Sequence, residues 1–170
     1  QQLTKATPRT GLPSRRLPDG WRWTRLGDIL TFGPRNGLSP KPVRHETNVR
    51  SLTLSATTKG VFDASATKFV DVSVEADSYL WLRPGDILVQ RGNTLDYVGV
   101  PALYEGPAGM FIFPDLMMKL RVSDALSPAF IHLAMSEVGA RNFLRAKASG
   151  TSGSMPKISQ STLQSLPIPI

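Results

Sequence analysis

Cysteine is absent from the 170 residues, and histidine is scarce, with only His45 and His132. No disulfide, thiolate nucleophile or cysteine-built zinc site is available, and a histidine-built metal centre is poorly supplied. No metal or other cofactor is therefore expected. No apolar run approaches the roughly 20 residues of a membrane-spanning helix, so membrane anchoring has no support. A charged-then-apolar signal pattern is missing too, and a reducing cytoplasm suits such a chain. The chain opens at Gln1 and closes on Pro167-Ile168-Pro169-Ile170, which reads as a piece of a longer protein.

Signatures of catalysis are also missing. The segment between Lys147 and Lys157 is rich in glycine and serine, but with Gly150 as the first glycine a Walker A loop needs Gly-Lys where Met155-Pro156 stands. Neither a glycine-rich cofactor turn after a strand nor an Asn/Asp-Pro-Pro-Tyr loop is present, so methyl transfer has no support. The nearest approach to a metal-dependent nuclease centre is Pro114-Asp115 with Lys119, where too few carboxylates gather around one cation. A turn ahead of a strand explains these residues more simply.

Positive charge, by contrast, is abundant and unevenly placed. Residues 1–50 hold ten Lys/Arg against three Asp/Glu, whereas residues 51–170 hold ten of each, so the net +7 lies in the first segment. Residues 60–140 are acidic on balance, and residues 141–170 carry four basic side chains and no acidic one. If folding joins the two ends, a polyanion can dock there by displacing counterions. Solvated surface cations are the simpler alternative.

With 41% apolar residues, the chain can support one core, and one domain is expected over residues 18–170. Residues 1–17, with Pro8, Gly11, Pro13 and basic residues, are expected to form a flexible basic tail or linker. Leu17-Pro18-Asp19-Gly20-Trp21 is a turn, followed by a helical turn at Leu26-Gly27-Asp28-Ile29. Residues 33–42 contain so many breakers that continuous helix or central strand is excluded, and a surface loop is expected. Strands are expected at Val49–Leu54, Phe69–Val74, Ile87–Arg91, Tyr97–Leu103, Met110–Phe113 and Leu116–Val122. Gly106-Pro107-Ala108-Gly109 reads as a hairpin turn, and Pro84-Gly85 as a turn directly ahead of a buried strand.

Residues 128–147 change to helical spacing, with Pro128 in the first turn and basic residues in the last. A helix of about 18 residues is expected there, and Ser159 or Ser161 is suited to cap a short one near the end. The fold class is thus α+β: a single β-rich domain with a twisted, mostly antiparallel sheet.

Two groups of side chains suit the edges of bases. They are Arg35, Asn36, Lys41 and Arg44 in the first loop, and Gln90, Arg91, Asn93 and Thr94 at the far end of the strand after Pro84-Gly85. Arginine can fork onto guanine, and asparagine or glutamine onto adenine. Lys147, Ser149, Thr151, Ser152, Ser154 and Lys157 form a third group, whose hydroxyls and lysines suit phosphate oxygens. As plain structure, the third group is a flexible connector and Arg91 a hairpin ion-pair partner of Asp86 or Asp96. Trp21, Trp23 and Trp81 fit a core better than a stacking role.

In order and spacing, several of these segments resemble the target-recognition domain of type I restriction–modification specificity subunits. The match runs from Leu17-Pro18-Asp19-Gly20-Trp21 and Leu26-Gly27-Asp28-Ile29 through Leu82-Arg83-Pro84-Gly85-Asp86-Ile87-Leu88-Val89 and Val98-Gly99-Val100-Pro101-Ala102. It ends on Ala148-Ser149-Gly150, Ile158-Ser159, Leu163 and Leu166-Pro167-Ile168-Pro169. The resemblance implies a non-catalytic cytoplasmic subunit in which each such domain reads one half of a split double-stranded DNA target. It also implies long helices that bind methyltransferase subunits, and a restriction subunit in the full complex. Similar domains occur in some type II systems, and an RNA or an acidic protein would also suit the basic ends.

Overall fold

The computed structural model describes residues 13–150 and 153–170. Most of the expected basic tail lies outside these residues. Pro13–Leu17 carry no regular structure, but the Arg15 carbonyl accepts a hydrogen bond from Trp23 Nε1 at 3.0 Å.

Ten strands and three helices follow. Strand β1 (Trp23–Arg25) leads through a 3-10 turn (Leu26–Ile29) into β2 (Leu30–Asn36), then β3 (Pro42–Val43), β4 (Arg50–Leu52) and β5 (Thr67–Val70). Next come β6 (Ile87–Gln90), β7 (Pro101–Leu103), β8 (Phe111–Ile112) and β9 (Met117–Val122). Helices α1 (Pro128–Ser136), α2 (Val138–Lys147) and α3 (Gln160–Gln164) precede β10 (Pro167–Pro169).

The expected single sheet is three. A four-stranded antiparallel sheet has the order β2-β9-β6-β7, and a second four-stranded sheet has the order β3-β5-β4-β8, with β4 and β8 parallel. A two-stranded ribbon joins β1 to β10. The turn at Gly106–Gly109 therefore carries the chain from the first sheet to the second and closes no hairpin.

Sequence alternation explains why the first sheet sits in the middle. On β6, Ile87 and Val89 belong to a core shared with the helices, whereas Leu88 belongs to a second core under the other sheet. On β9, Met118, Leu120 and Val122 face the helices and Met117 the second sheet. A strand buried on both faces reads as a continuous apolar run, as Ile87-Leu88-Val89 does. Each fully buried aliphatic side chain in these cores stabilises the fold by roughly 1.5–3 kcal/mol.

Further expectations need correction. Of the strand expected at Tyr97–Leu103 only Pro101–Leu103 is strand, and the one expected at Phe69–Val74 is Thr67–Val70. Residues 30–36 form edge strand β2 and not only loop, with register shifts between Leu30 and Phe32 and between Phe32 and Arg35, where a cis Gly33-Pro34 bond lies. Proline tolerates an edge strand because no partner there needs its missing N–H. The 18-residue helix is two helices broken at Glu137, whose backbone is extended (φ −67, ψ 148). The Glu137 carboxylate accepts from Gly139 N at 2.8 Å and so restarts the helix as α2. The other ends follow expectation: Pro128 stands in the first turn of α1, which Ser127 caps, Ser159 caps α3, and Arg145 and Lys147 occupy the last turn of α2.

Candidate nucleic-acid interface

Three stretches far apart in the chain meet at one end of the first sheet. Beyond β6, Arg91 N donates to Leu116 O (2.8 Å), beside the start of β9. Ile158 N donates to Arg91 O (2.9 Å), Gly92 bridges Lys157, and Asn93 N donates to Pro156 O (3.3 Å). Beyond β2, Gly37 N and Leu38 N donate to Met117 O and Phe113 O, and Ser39 Oγ accepts from Asp115 N at 2.9 Å. The crossing at Gly92 is tight, and a side chain there would require neighbouring side chains to shift. A Cβ there would stand 3.0 Å from Leu116, 3.1 Å from Lys157 and 3.2 Å from Met155.

Within this frame the first loop divides. Arg35 is exposed, with its guanidinium carbon 3.7 Å from the centre of the Tyr79 ring in a cation–π contact. The Tyr79 hydroxyl donates to Asn36 O at 2.8 Å, and Asn36 Oδ1 accepts from Gln160 Nε2 at 3.3 Å. Lys41 and Arg44 are exposed on either side of β3, at the edge of the second sheet.

The second group divides more sharply. Gln90 is fully buried: its amide donates to Leu54 O (2.7 Å) and Thr57 Oγ1 (2.6 Å) and accepts from Asn93 Nδ2 (3.1 Å). Its side chain is occupied inside the protein as folded. Arg91 pairs with neither Asp86 nor Asp96. Its Nη2 lies 2.7 Å from Asp115 Oδ2, and its Nε donates to the Asp115 carbonyl at 2.9 Å. Asn93 Oδ1 accepts from Thr94 N, and Thr94 is exposed.

In the third group, Ser149 and Lys157 exchange two backbone hydrogen bonds of 2.9 Å, which pair the two ends of the loop. Both side chains are exposed, as are Ser154 and Lys147, whose ammonium lies 5.0 Å from the Phe143 ring. Thr151 and Ser152 lie outside the described residues.

Sequence reasoning missed the side chains that support these groups. Tyr79, Ser39 and Gln160 lie in loops or at a helix start with no periodicity to mark them. Arg141 and Arg145 looked like ordinary helix residues, yet both reach from α2 to the loop after Asn93. Arg141 Nη1 donates to Val98 O (2.6 Å), and Arg145 Nε donates to Leu95 O (3.0 Å). Burial, and then repulsion from Arg145, lower the Arg141 pKa to about 10.

Among the described residues no group of three or more His, Asp or Glu is placed to hold a metal. Asp115 faces Arg91, while Lys119 is buried 3.6 Å from Asp86. The two residues considered together in the sequence thus have different partners. No helix among the described residues is long and apolar enough to cross a membrane.

No family model matches the chain. The EcoEI type I restriction enzyme specificity subunit of Escherichia coli is 30% identical over 156 residues, covering 89% of this chain and 26% of that protein. The EcoKI specificity subunit of Escherichia coli strain K12 is 30% identical over 121 residues, 70% of this chain and 26% of that protein. Among solved structures, a chain from work on complex assembly and conformational transition of the type I R-M system aligns with a TM-score of 0.62 at 21% identity, over 93% of this chain and 36% of that one. The HsdS subunit of Thermoanaerobacter tengcongensis aligns with a TM-score of 0.58 at 20% identity, over 93% of this chain and 35% of that one. The chain spans about a quarter of the length of the curated relatives it matches. Its sequence matches theirs over most of its own length: the chain is a relative of the type I restriction enzyme specificity subunits.

Proposed function

We propose that this chain is a target-recognition domain that binds double-stranded DNA and reads one half of a bipartite target, without catalysing a reaction itself. In the complete cytoplasmic assembly, methyltransferase subunits would modify the DNA and a restriction subunit would cut it. The observation that carries this reading is the convergence, at one sheet end, of residues from the first loop, from the end of β6 and from the Lys147–Lys157 loop. Base readout needs polar groups on rigid supports. Arg35 on the Tyr79 ring and Asn36 held by Tyr79 and Gln160 meet that need.

Division of labour follows from the partners. Arg35, Asn36, Asn93 and Thr94 are assigned to base edges, and Lys147, Ser149, Ser154 and Lys157 to phosphates. Gln90 and Arg91 are assigned to holding the loops. The test is to produce the full specificity subunit with its methyltransferase, map the methylated bases, and repeat after exchanging this segment for that of a relative with a different target. One half of the split target should change and the other should persist. Exchange that leaves the methylated sequence intact, or methyl transfer by the purified chain alone, would refute the proposal.

A further inference from the structure

The loop after Asn93 carries two large apolar side chains that no core absorbs: Leu95 is 53% and Tyr97 44% exposed. Exposed apolar groups on a loop are ordinarily mobile, but this loop is fixed from several sides. Val98 N donates to Thr94 O at 2.9 Å, closing one helical turn, and Tyr97 N donates to the same carbonyl at 3.0 Å. Gln90 closes the base of the loop through Gly99 N to Gln90 O (2.7 Å) and Gln90 N to Val100 O (3.0 Å). Arg141 takes the carbonyls of Val98 and Asp96, and Arg145 those of Leu95 and Asp96. Gly99 (φ +80) lets α2 come this close, since a Cβ there would meet Arg141 and Leu144 at 2.9 Å.

Two arginines directed at backbone carbonyls hold the turn in one shape and leave its side chains outward. The preceding residues, Gly92 and Asn93, are bound to the Pro156–Lys157 segment, so the turn stands beside exposed Lys157 and, through α2, beside Lys147. An apolar tip flanked by cations suits a polyanion that also offers apolar groups. In the major groove of duplex DNA that group is the thymine 5-methyl.

We infer that Leu95 and Tyr97 are specificity-determining residues which contact thymine methyl groups, with Arg141 and Arg145 as the positioning residues that hold their turn. This rests on the DNA-reading function proposed above.

The experiment uses the full specificity subunit assembled with its methyltransferase, and selection from a random duplex pool. Wild type, Leu95→Ala, Tyr97→Ala, Tyr97→Phe, Arg145→Gln and Arg145→Lys are compared, with thermal melting recorded for each. Leu95→Ala and Tyr97→Ala should lower preference for thymine at one or two adjacent positions by about three- to tenfold, with bulk affinity for random duplex changed by less than about twofold. Tyr97→Phe should retain the preference. Arg145→Gln should blur it at the same positions, and Arg145→Lys should restore part of it. Replacing thymine by uracil at those positions should weaken wild type by the same factor and leave the alanine variants unaffected.

Alanine variants that melt as wild type and keep its thymine preference overturn the inference. So does a loss confined to positions where thymine is not preferred. A wild type that enriches no sequence at all overturns the DNA-reading function itself.

Discussion

Replacing Lys119 by Met tests how the interior supports the interface. Lys119 is fully buried on β9, donating to the carbonyls of Tyr79 and of Trp81 (3.2 Å) and lying 3.6 Å from Asp86. The rings of Phe32, Tyr79 and Phe113 surround it at 5.3–5.8 Å. Burial is the main cause that lowers its pKa from the ordinary 10.5 to about 8, partly offset by attraction to Asp86. A folded pKa below the unfolded one means that the unfolded chain binds more protons between these values. Stability therefore rises with pH across that window.

With a folded value of about 8 and an unfolded value of about 10.5, the Lys119 contribution grows by about 2.5 kcal/mol between pH 7 and pH 10. Lys119→Met removes that growth. At pH 7 it also removes the cost of burying the ammonium, but leaves the Tyr79 and Trp81 carbonyls without a donor, at about 1–3 kcal/mol each. Those effects offset one another, so the net change at pH 7 should be within a few kcal/mol. The informative quantity is the double difference: urea unfolding of both proteins at pH 7 and pH 10, in which other groups titrating alike cancel. Parallel pH dependence in the two proteins would refute the account. Arg35 gives a functional readout, because Lys119 holds the backbone of the tyrosine on which Arg35 stacks.

Neutralising Lys147 and Lys157 together should weaken binding to all duplexes about equally and lower the salt slope by roughly two. An unchanged slope in a salt titration would mean that the loop is a connector. Arg91→Ala breaks an ion pair whose carboxylate is half exposed, so coupling of only about 0.5–1 kcal/mol is expected. Melting should fall by about 1–4 °C, with sequence preference little affected; altered preference at one position without a lower melting temperature would instead make Arg91 a base reader. Gln90→Ala should lower stability by about 2–4 kcal/mol in urea titration, because Leu54 O and Thr57 Oγ1 lose a buried donor, and a neutral outcome would contradict its internal role.

The contrast between Gln90 and Asn93 shows why the strand pattern was legible and the fate of its last residues was not. Because turn chemistry and a doubly buried strand are local properties, Pro84-Gly85 before Ile87-Leu88-Val89 marked the strand, which ends at Gln90, one residue before the expected Arg91. Alternation then gives Gln90 the same face as Leu88, toward the second core. A solvated face there would have left Gln90 free. It is buried because the Leu54–Thr57 turn presents a carbonyl and a hydroxyl at that spot, a partner some 33–36 residues away with no trace in the local sequence.

Glu137 was similarly obscured, since apolar spacing continues through it while the helix restarts on its carboxylate. The 33–42 breakers did exclude a central strand, yet an edge strand with irregular register needs fewer hydrogen bonds and accepts them. In each case the local pattern determined which structures were impossible, and a distant or same-residue polar partner chose among those left. The candidate interface follows the same rule: its residue types were visible one by one, but the backbone pairing of Arg91, Gly92 and Asn93 with Pro156, Lys157 and Ile158 that brings the end of β6 to the later loop was not. On the proposed function, substitutions at the exposed residues of this crossing would change base preference without disturbing the backbone pairing beneath them.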